Sequence, residues 1–133
     1  MRKVLLIFDG GSKGNPGKAF GSFLIDVEGG EKKPPIRLEF GTTTNNEAEY
    51  LSLLSGLKSL IEELRFQRIS PAKVQLEIHG DSRLVINQVG GNWKAKDQRM
   101  RAFRDQAQRL LKRFGKVELL HQNRNVIVRA LGH

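Results

Sequence analysis

The chain has no cysteine, which excludes disulfides, thiolate zinc sites and cysteine nucleophiles. Aromatic residues are scarce at 7%, with one tryptophan and one tyrosine. Acidic residues are outnumbered, 14 Asp and Glu against 23 Lys and Arg, leaving a net charge of +9. Such an imbalance favours a polyanionic partner, a nucleic acid or an acidic membrane surface. No apolar run approaches the ~18 residues of a membrane span. The apolar stretch Val4 to Phe8 is short and runs straight into Asp9, unlike a secretory leader. The expectation is therefore a cytoplasmic protein that does not enter the membrane.

What is present suits one folded domain. The 133 residues, 38% hydrophobic and 28% charged, suffice for a single core. Val4 to Phe8 has the length and continuity of a strand buried on both faces. Asp9 to Gly17 holds four glycines and a proline and reads as a loop. Further strands are expected over Ala19 to Val27 and Ile36 to Phe40, an antiparallel meander.

The period then changes. Tyr50, Leu53, Leu54, Leu57, Leu60, Ile61 and Leu64 recur at helical spacing, with Thr44, Asn45 and Asn46 as candidate caps. Val74 to Ile78 alternates as a fourth strand, and Leu84 to Val89 forms a short helix ended by Gly90-Gly91. Met100 to Phe114 marks a third helix, Val117 to Leu120 a fifth strand, and Val126 to Leu131 a short or truncated last helix. The order βββαβααβα is that of an α/β domain over residues 1–133, with later strands reached by helical crossovers.

Three acids stand out by position. Asp9 follows the first strand, Asp81 follows the fourth, and Glu49 lies in the first turn of the first long helix. Ligands of open α/β sheets collect at the carboxyl ends of the strands. An oxygen-only cluster there suits Mg²⁺ or Mn²⁺ and two-metal phosphodiester hydrolysis. Each acid also has an ordinary role available: Asp9 in a turn, Asp81 as a helix N-cap, Glu49 favouring a helix dipole.

The residues around these acids resemble the signature blocks of type 1 ribonuclease H. The blocks are Phe8-Asp9-Gly10-Gly11-Ser12-Lys13-Gly14-Asn15-Pro16-Gly17, then Thr44-Asn45-Asn46-Glu47-Ala48-Glu49-Tyr50, then Gly80-Asp81-Ser82. A fourth, Trp93-Lys94-Ala95-Lys96, is similar to that family's W-K-x-K segment. The resemblance spans about residues 4 to 124. It implies a ribonuclease H-like fold, a five-stranded mixed sheet with helices on both faces. It also implies a metal-dependent endonuclease that cuts the RNA strand of RNA–DNA hybrids; a monomer is the separate expectation for its assembly.

The same resemblance makes Asp9, Glu49 and Asp81 the catalytic and metal-holding residues, for two Mg²⁺ ions with Mn²⁺ as a substitute. The resemblance puts the family's Glu on Glu49, the last residue of T-N-N-x-x-E, and not on Glu47; a helix turns the two by about 200° relative to each other, so they cannot share one site. Gly11, Ser12, Asn15, Thr44, Asn45, Asn46 and Ser82 fall on hybrid-binding positions, although Arg83 stands where the family often has Gln. Trp93, Lys94 and Lys96 fall on the segment that grips the DNA strand; the alternative for Trp93 is a core ring over a helix end. The basic series Arg99, Arg101, Arg104, Arg109, Lys112 and Arg113 reads as a solvated helix face.

The tail departs from the family. Its R-x-x-N-x-x-A-D motif supplies a fourth acid, whereas no Asp or Glu follows Glu118 here. With Arg124 as the motif's Arg, the Asp position holds Leu131; with Asn125 as its Asn, it holds Arg129. Asn123 or Asn125 offers only a neutral oxygen, and His121 and His133 are the other tail candidates. Hence a second expectation stands beside the enzyme: a catalytically impaired hybrid-binding domain.

Overall fold

The computed structural model describes residues 1–132; His133 lies outside the described residues. Five strands form one sheet: β1 (Arg2–Gly14), β2 (Gly17–Val27), β3 (Ile36–Thr43), β4 (Val74–Gly80) and β5 (Lys116–His121). Their spatial order is β3-β2-β1-β4-β5. β1, β2 and β3 pair antiparallel, while β4 runs parallel to β1 and β5 parallel to β4. The helices are α1 (Asn45–Phe66), α2 (Arg83–Val89), α3 (Gln98–Leu111) and α4 (Arg124–Leu131). Both the element order and the mixed sheet match the expectation.

Side chains on β1 alternate between two cores, as the period of two requires. Val4, Leu6 and Phe8 join the main core with Tyr50, Leu53, Leu57, Leu60, Leu76 and Ile78. Ile7, between them, faces a smaller cluster made with Ile127 and Leu131 of α4. One face of the sheet thus carries α1, and α4 covers part of the other.

The glycine-rich segment corrects the sequence reading. Residues 9–17 are not a free loop: β1 continues to Gly14 and β2 begins at Gly17, with Asp9 paired to Ser22 and Gly14 to Gly17. The glycines that suggest a loop are needed for close approach. A Cβ on Gly10 would stand 2.5 Å from the Ala48 carbonyl carbon and oxygen, so only glycine lets the start of α1 rest on β1. At the end of β4, a Cβ on Gly80 would stand 2.6 Å from the Phe8 ring.

Candidate metal centre and nucleic-acid interface

Each acid is delivered by a different element. Asp9 lies in the middle of β1, Glu49 in the first turns of α1, and Asp81 directly after β4. Thr44 caps α1: its Oγ1 accepts the Glu47 N–H at 3.2 Å, and its hydroxyl donates to Glu47 Oε1 at 3.1 Å. That fixes the helix start which Gly10 admits, and with it Glu49. Ser82, not Asp81, is the N-cap of α2, accepting the Val85 N–H at 3.2 Å. Asp81 is thereby left out of the capping role open to it in the sequence.

One oxygen from each of Asp9, Glu49 and Asp81 lies within 4.8 Å of the others. Asp9 and Glu49 are buried and Asp81 half-buried. Burial, reinforced by the charges of Asp9 and Asp81, pushes the Glu49 carboxyl up to about 9. Burial and the Asp81 charge raise Asp9 as well. Glu49 Oε2 has no hydrogen-bond partner among the described residues, and the nearby Asp9 side chain adds to the upward shift. Three crowded carboxylates of which one must hold a proton, with an orphaned buried oxygen, fit a hard divalent cation with oxygen ligands.

Glu47 is separate from this cluster. Its buried carboxylate pairs with Arg99 Nη2 at 2.6 Å, joining the starts of α1 and α3. In the tail, Leu131 is fully buried and packs with Ile7 and Ile127. Arg129 and Asn125 are exposed, and His121 ends β5 beside Gly80.

What the sequence did not show is where Arg124, the first residue of α4, would reach. Its Nη1 donates to Asp81 Oδ2 at 2.9 Å and lies 3.9 Å from Asp9 Oδ1. The signal in the sequence was the register that makes Arg124 the Arg of the family's tail motif.

Beside the acids lies a polar network. Asn45 Oδ1 accepts the Ser12 backbone N–H at 2.8 Å and its hydroxyl at 2.9 Å. Asn15 Oδ1 accepts the Asn45 N–H at 3.0 Å. The Ser12 hydroxyl also meets the Gly14 carbonyl. Both amide oxygens are engaged within the protein, so their NH₂ groups remain as donors for a ligand. Gly11 lies between Asp9 and Ser12, Asn46 follows Asn45 at the start of α1, and Gly11 faces the Phe20 ring and Asn45.

The Trp93 segment is held by its backbone. Tyr50 Oη, buried, donates to Gln88 Oε1 at 2.6 Å, and Gln88 Nε2 reaches the Lys94 carbonyl at 3.4 Å. Arg101 donates to the carbonyls of Ala95 and Lys96, each at 3.2 Å. Ala95 is buried, whereas Trp93 is 48% exposed and Lys94 and Lys96 point out. The core alternative for Trp93 is therefore set aside. The basic helix face is solvated, with only Arg104 half-buried, and three of its residues also make contacts: Arg99 with Glu47, Arg101 with the loop carbonyls, and Arg104 with Asp105 at 2.9 Å.

With this geometry in place, comparison with known proteins identifies the class. The family described as reverse transcriptase-like matches residues 8–131. Ribonuclease HI of Halobacterium salinarum is 36% identical over 133 residues, covering 96% of this chain and 60% of that protein. The crystal structure of RNase H1 from the same archaeon is similar with a TM-score of 0.82 and 31% identity, covering 96% of this chain and 90% of that one. LC11-RNase H1 in complex with an RNA/DNA hybrid gives 0.83 and 26% identity, covering 95% and 89%. The chain belongs to the reverse transcriptase-like family, within its type 1 ribonuclease H members. It spans only 30% of the bifunctional protein Rv2228c of Mycobacterium tuberculosis, with which it is 31% identical over 116 residues.

Proposed function

We propose that this domain is a ribonuclease that cuts the RNA strand of RNA–DNA hybrids endonucleolytically, leaving 3′-hydroxyl and 5′-phosphate ends. The observation that carries this reading is the convergence of Asp9, Glu49 and Asp81 within 4.8 Å. Beside them stands the network of Ser12, Asn15 and Asn45. The three carboxylates would hold Mg²⁺, with Mn²⁺ as a substitute. Bound there, a divalent ion supplies Lewis acidity toward a phosphoryl oxygen and a water of lowered pKa.

The rest is done by the chain's own groups. The NH₂ donors of Asn15 and Asn45 suit the 2′-hydroxyls and base edges of a hybrid minor groove, which is where RNA differs from DNA. Gly11 keeps β1 free of a side chain next to Asp9, so a backbone can approach. Thr44, Asn46 and Ser82 would add polar contacts to the hybrid, although Thr44 and Ser82 also serve as caps. Trp93 offers an exposed ring to a sugar of the DNA strand, with Lys94 and Lys96 against its phosphates. That a related ribonuclease H1 is known in complex with an RNA/DNA hybrid supports this partner.

A specific observation favours a second reading, a hybrid binder with impaired catalysis. No carboxylate follows Glu118 in the sequence, and a guanidinium reaches Asp81 instead. Cleavage of a labelled hybrid in Mg²⁺ and in Mn²⁺ decides between them, with Asp9→Asn as control. We expect slow cutting of the RNA strand, faster in Mn²⁺, and none in the control. Tight binding with no cutting in either metal establishes the second reading; undiminished cutting by Asp9→Asn removes the site from these residues.

A further inference from the structure

The charge of the acid cluster is set by what the chain itself brings to it. Fully ionised, Asp9, Glu49 and Asp81 carry three negative charges. One divalent ion leaves one of these uncompensated; two overcompensate by one. Arg124 brings one positive charge to this cluster from within the chain, with Nη1 2.9 Å from Asp81 Oδ2 and 3.9 Å from Asp9 Oδ1. The Asp81 carboxylate is largely enclosed while the Arg124 side chain is 70% exposed. One partner is therefore fixed by the fold, and the other is a flexible arm that can leave toward solvent.

We propose that Arg124 is a resident cation of this site: it neutralises Asp81 when no metal is bound and competes with an incoming ion for the same carboxylate. This rests on the reading of Asp9, Glu49 and Asp81 as the metal-holding set. An oxygen lone pair that accepts a guanidinium N–H cannot at the same time ligate an ion, and two cations near one carboxylate repel each other. Arg124 therefore opposes metal entry while it holds Asp81 Oδ2, by occupying one of the carboxylate's acceptor sites and by repelling the incoming cation. The place of Arg124 at the first residue of α4 ties this exchange to the tail that lacks the family's fourth acid.

Replacing Arg124 should tighten metal binding rather than weaken it, the opposite of what loss of a ligand or of a structural contact produces. The test is calorimetric titration of Mn²⁺ into the whole chain, free of nucleic acid, for the native protein, Arg124→Ala and Arg124→Lys. Arg124→Ala is expected to bind about tenfold more tightly, which is about 1.4 kcal/mol. Arg124→Lys, which keeps the charge, should stay near the native value. A second readout separates a cation from a mere packing contact. In EDTA, Arg124→Ala should melt below the native protein, and saturating Mn²⁺ should close that gap. Equal or weaker Mn²⁺ binding by Arg124→Ala overturns the inference and leaves the metal site standing. Absence of Mn²⁺ binding in the native protein and both variants overturns the metal site, and the inference with it.

Discussion

A carboxyl that is buried and faces two others keeps its proton, and Glu49 is in that position. In the folded metal-free domain it releases its proton only at about 9, against 4.5 when exposed. Between those values the folded state binds more protons than the unfolded one, so stability falls as pH rises through the interval. Asp9, raised from 3.8, acts with the same sign. Glu49→Gln, isosteric and uncharged, removes the penalty. Without metal, this variant should melt higher than the native protein at pH 8, by roughly 4 °C or more. Near pH 5 Glu49 is already protonated in the fold, and the advantage should shrink. Parallel melting curves at pH 5 and 8 check this; an advantage that does not grow with pH would mean that Glu49 is not held protonated. Of the residues in this cluster, the three acids were legible in the sequence because the motifs around them are specific. The contact of Arg124 with Asp81 was not, since Arg124 could be named as the motif's Arg but neither register of the tail supplies the acid that would fix its place.

At the scale of elements, the helices were easier to read than the hairpin. The spacing of Tyr50, Leu53, Leu57, Leu60 and Leu64 defines α1 because one face of it is buried for its full length. The β1–β2 hairpin misled because glycine has two uses, bending a chain and admitting a neighbour, and sequence alone does not separate them. At Gly10 the second use governs, with the Ala48 carbonyl filling the space of a side chain. Gly10→Ala should therefore push the start of α1 off β1. The expected cost is ~1–3 kcal/mol in urea unfolding, the range of an overpacked core. It should also bring loss of Mn²⁺ binding in a variant that still folds, because Glu49 moves with the helix. A Gly10→Ala protein that binds Mn²⁺ normally would mean that α1 and β1 can separate without disturbing the cluster. The exposed Trp93 segment shows the converse case. Its outward side chains follow from inward hydrogen bonds to Gln88 and Arg101, which the sequence pattern does not reveal.

Over the whole molecule, a charge of +9 attracts any polyanion, but the cations are not equally free to act. Arg99, Arg101, Arg104 and Arg124 are each committed to a carboxylate or a carbonyl within the fold. Lys94 and Lys96 are exposed on a segment whose backbone is fixed, beside an exposed ring. Such lysines meet phosphates in one geometry, whereas Arg109, Lys112 and Arg113, at the far end of α3, contribute a diffuse field. Each phosphate neutralised releases counterion, so the logarithm of hybrid affinity should fall steeply with the logarithm of salt, by about 0.9 per contact. In an Asp9→Asn background, where the hybrid stays intact, Lys94→Ala with Lys96→Ala should make that slope shallower by ~1.5–2. The triple change Arg109→Ala, Lys112→Ala and Arg113→Ala removes more charge yet should alter the slope less, because screening weakens its reach at about 0.15 M salt. Fluorescence anisotropy of a labelled hybrid across a salt series measures both. If the triple variant flattens the slope more than the double one, affinity follows total charge and not the Trp93 segment, and the nucleic-acid interface must be moved along α3.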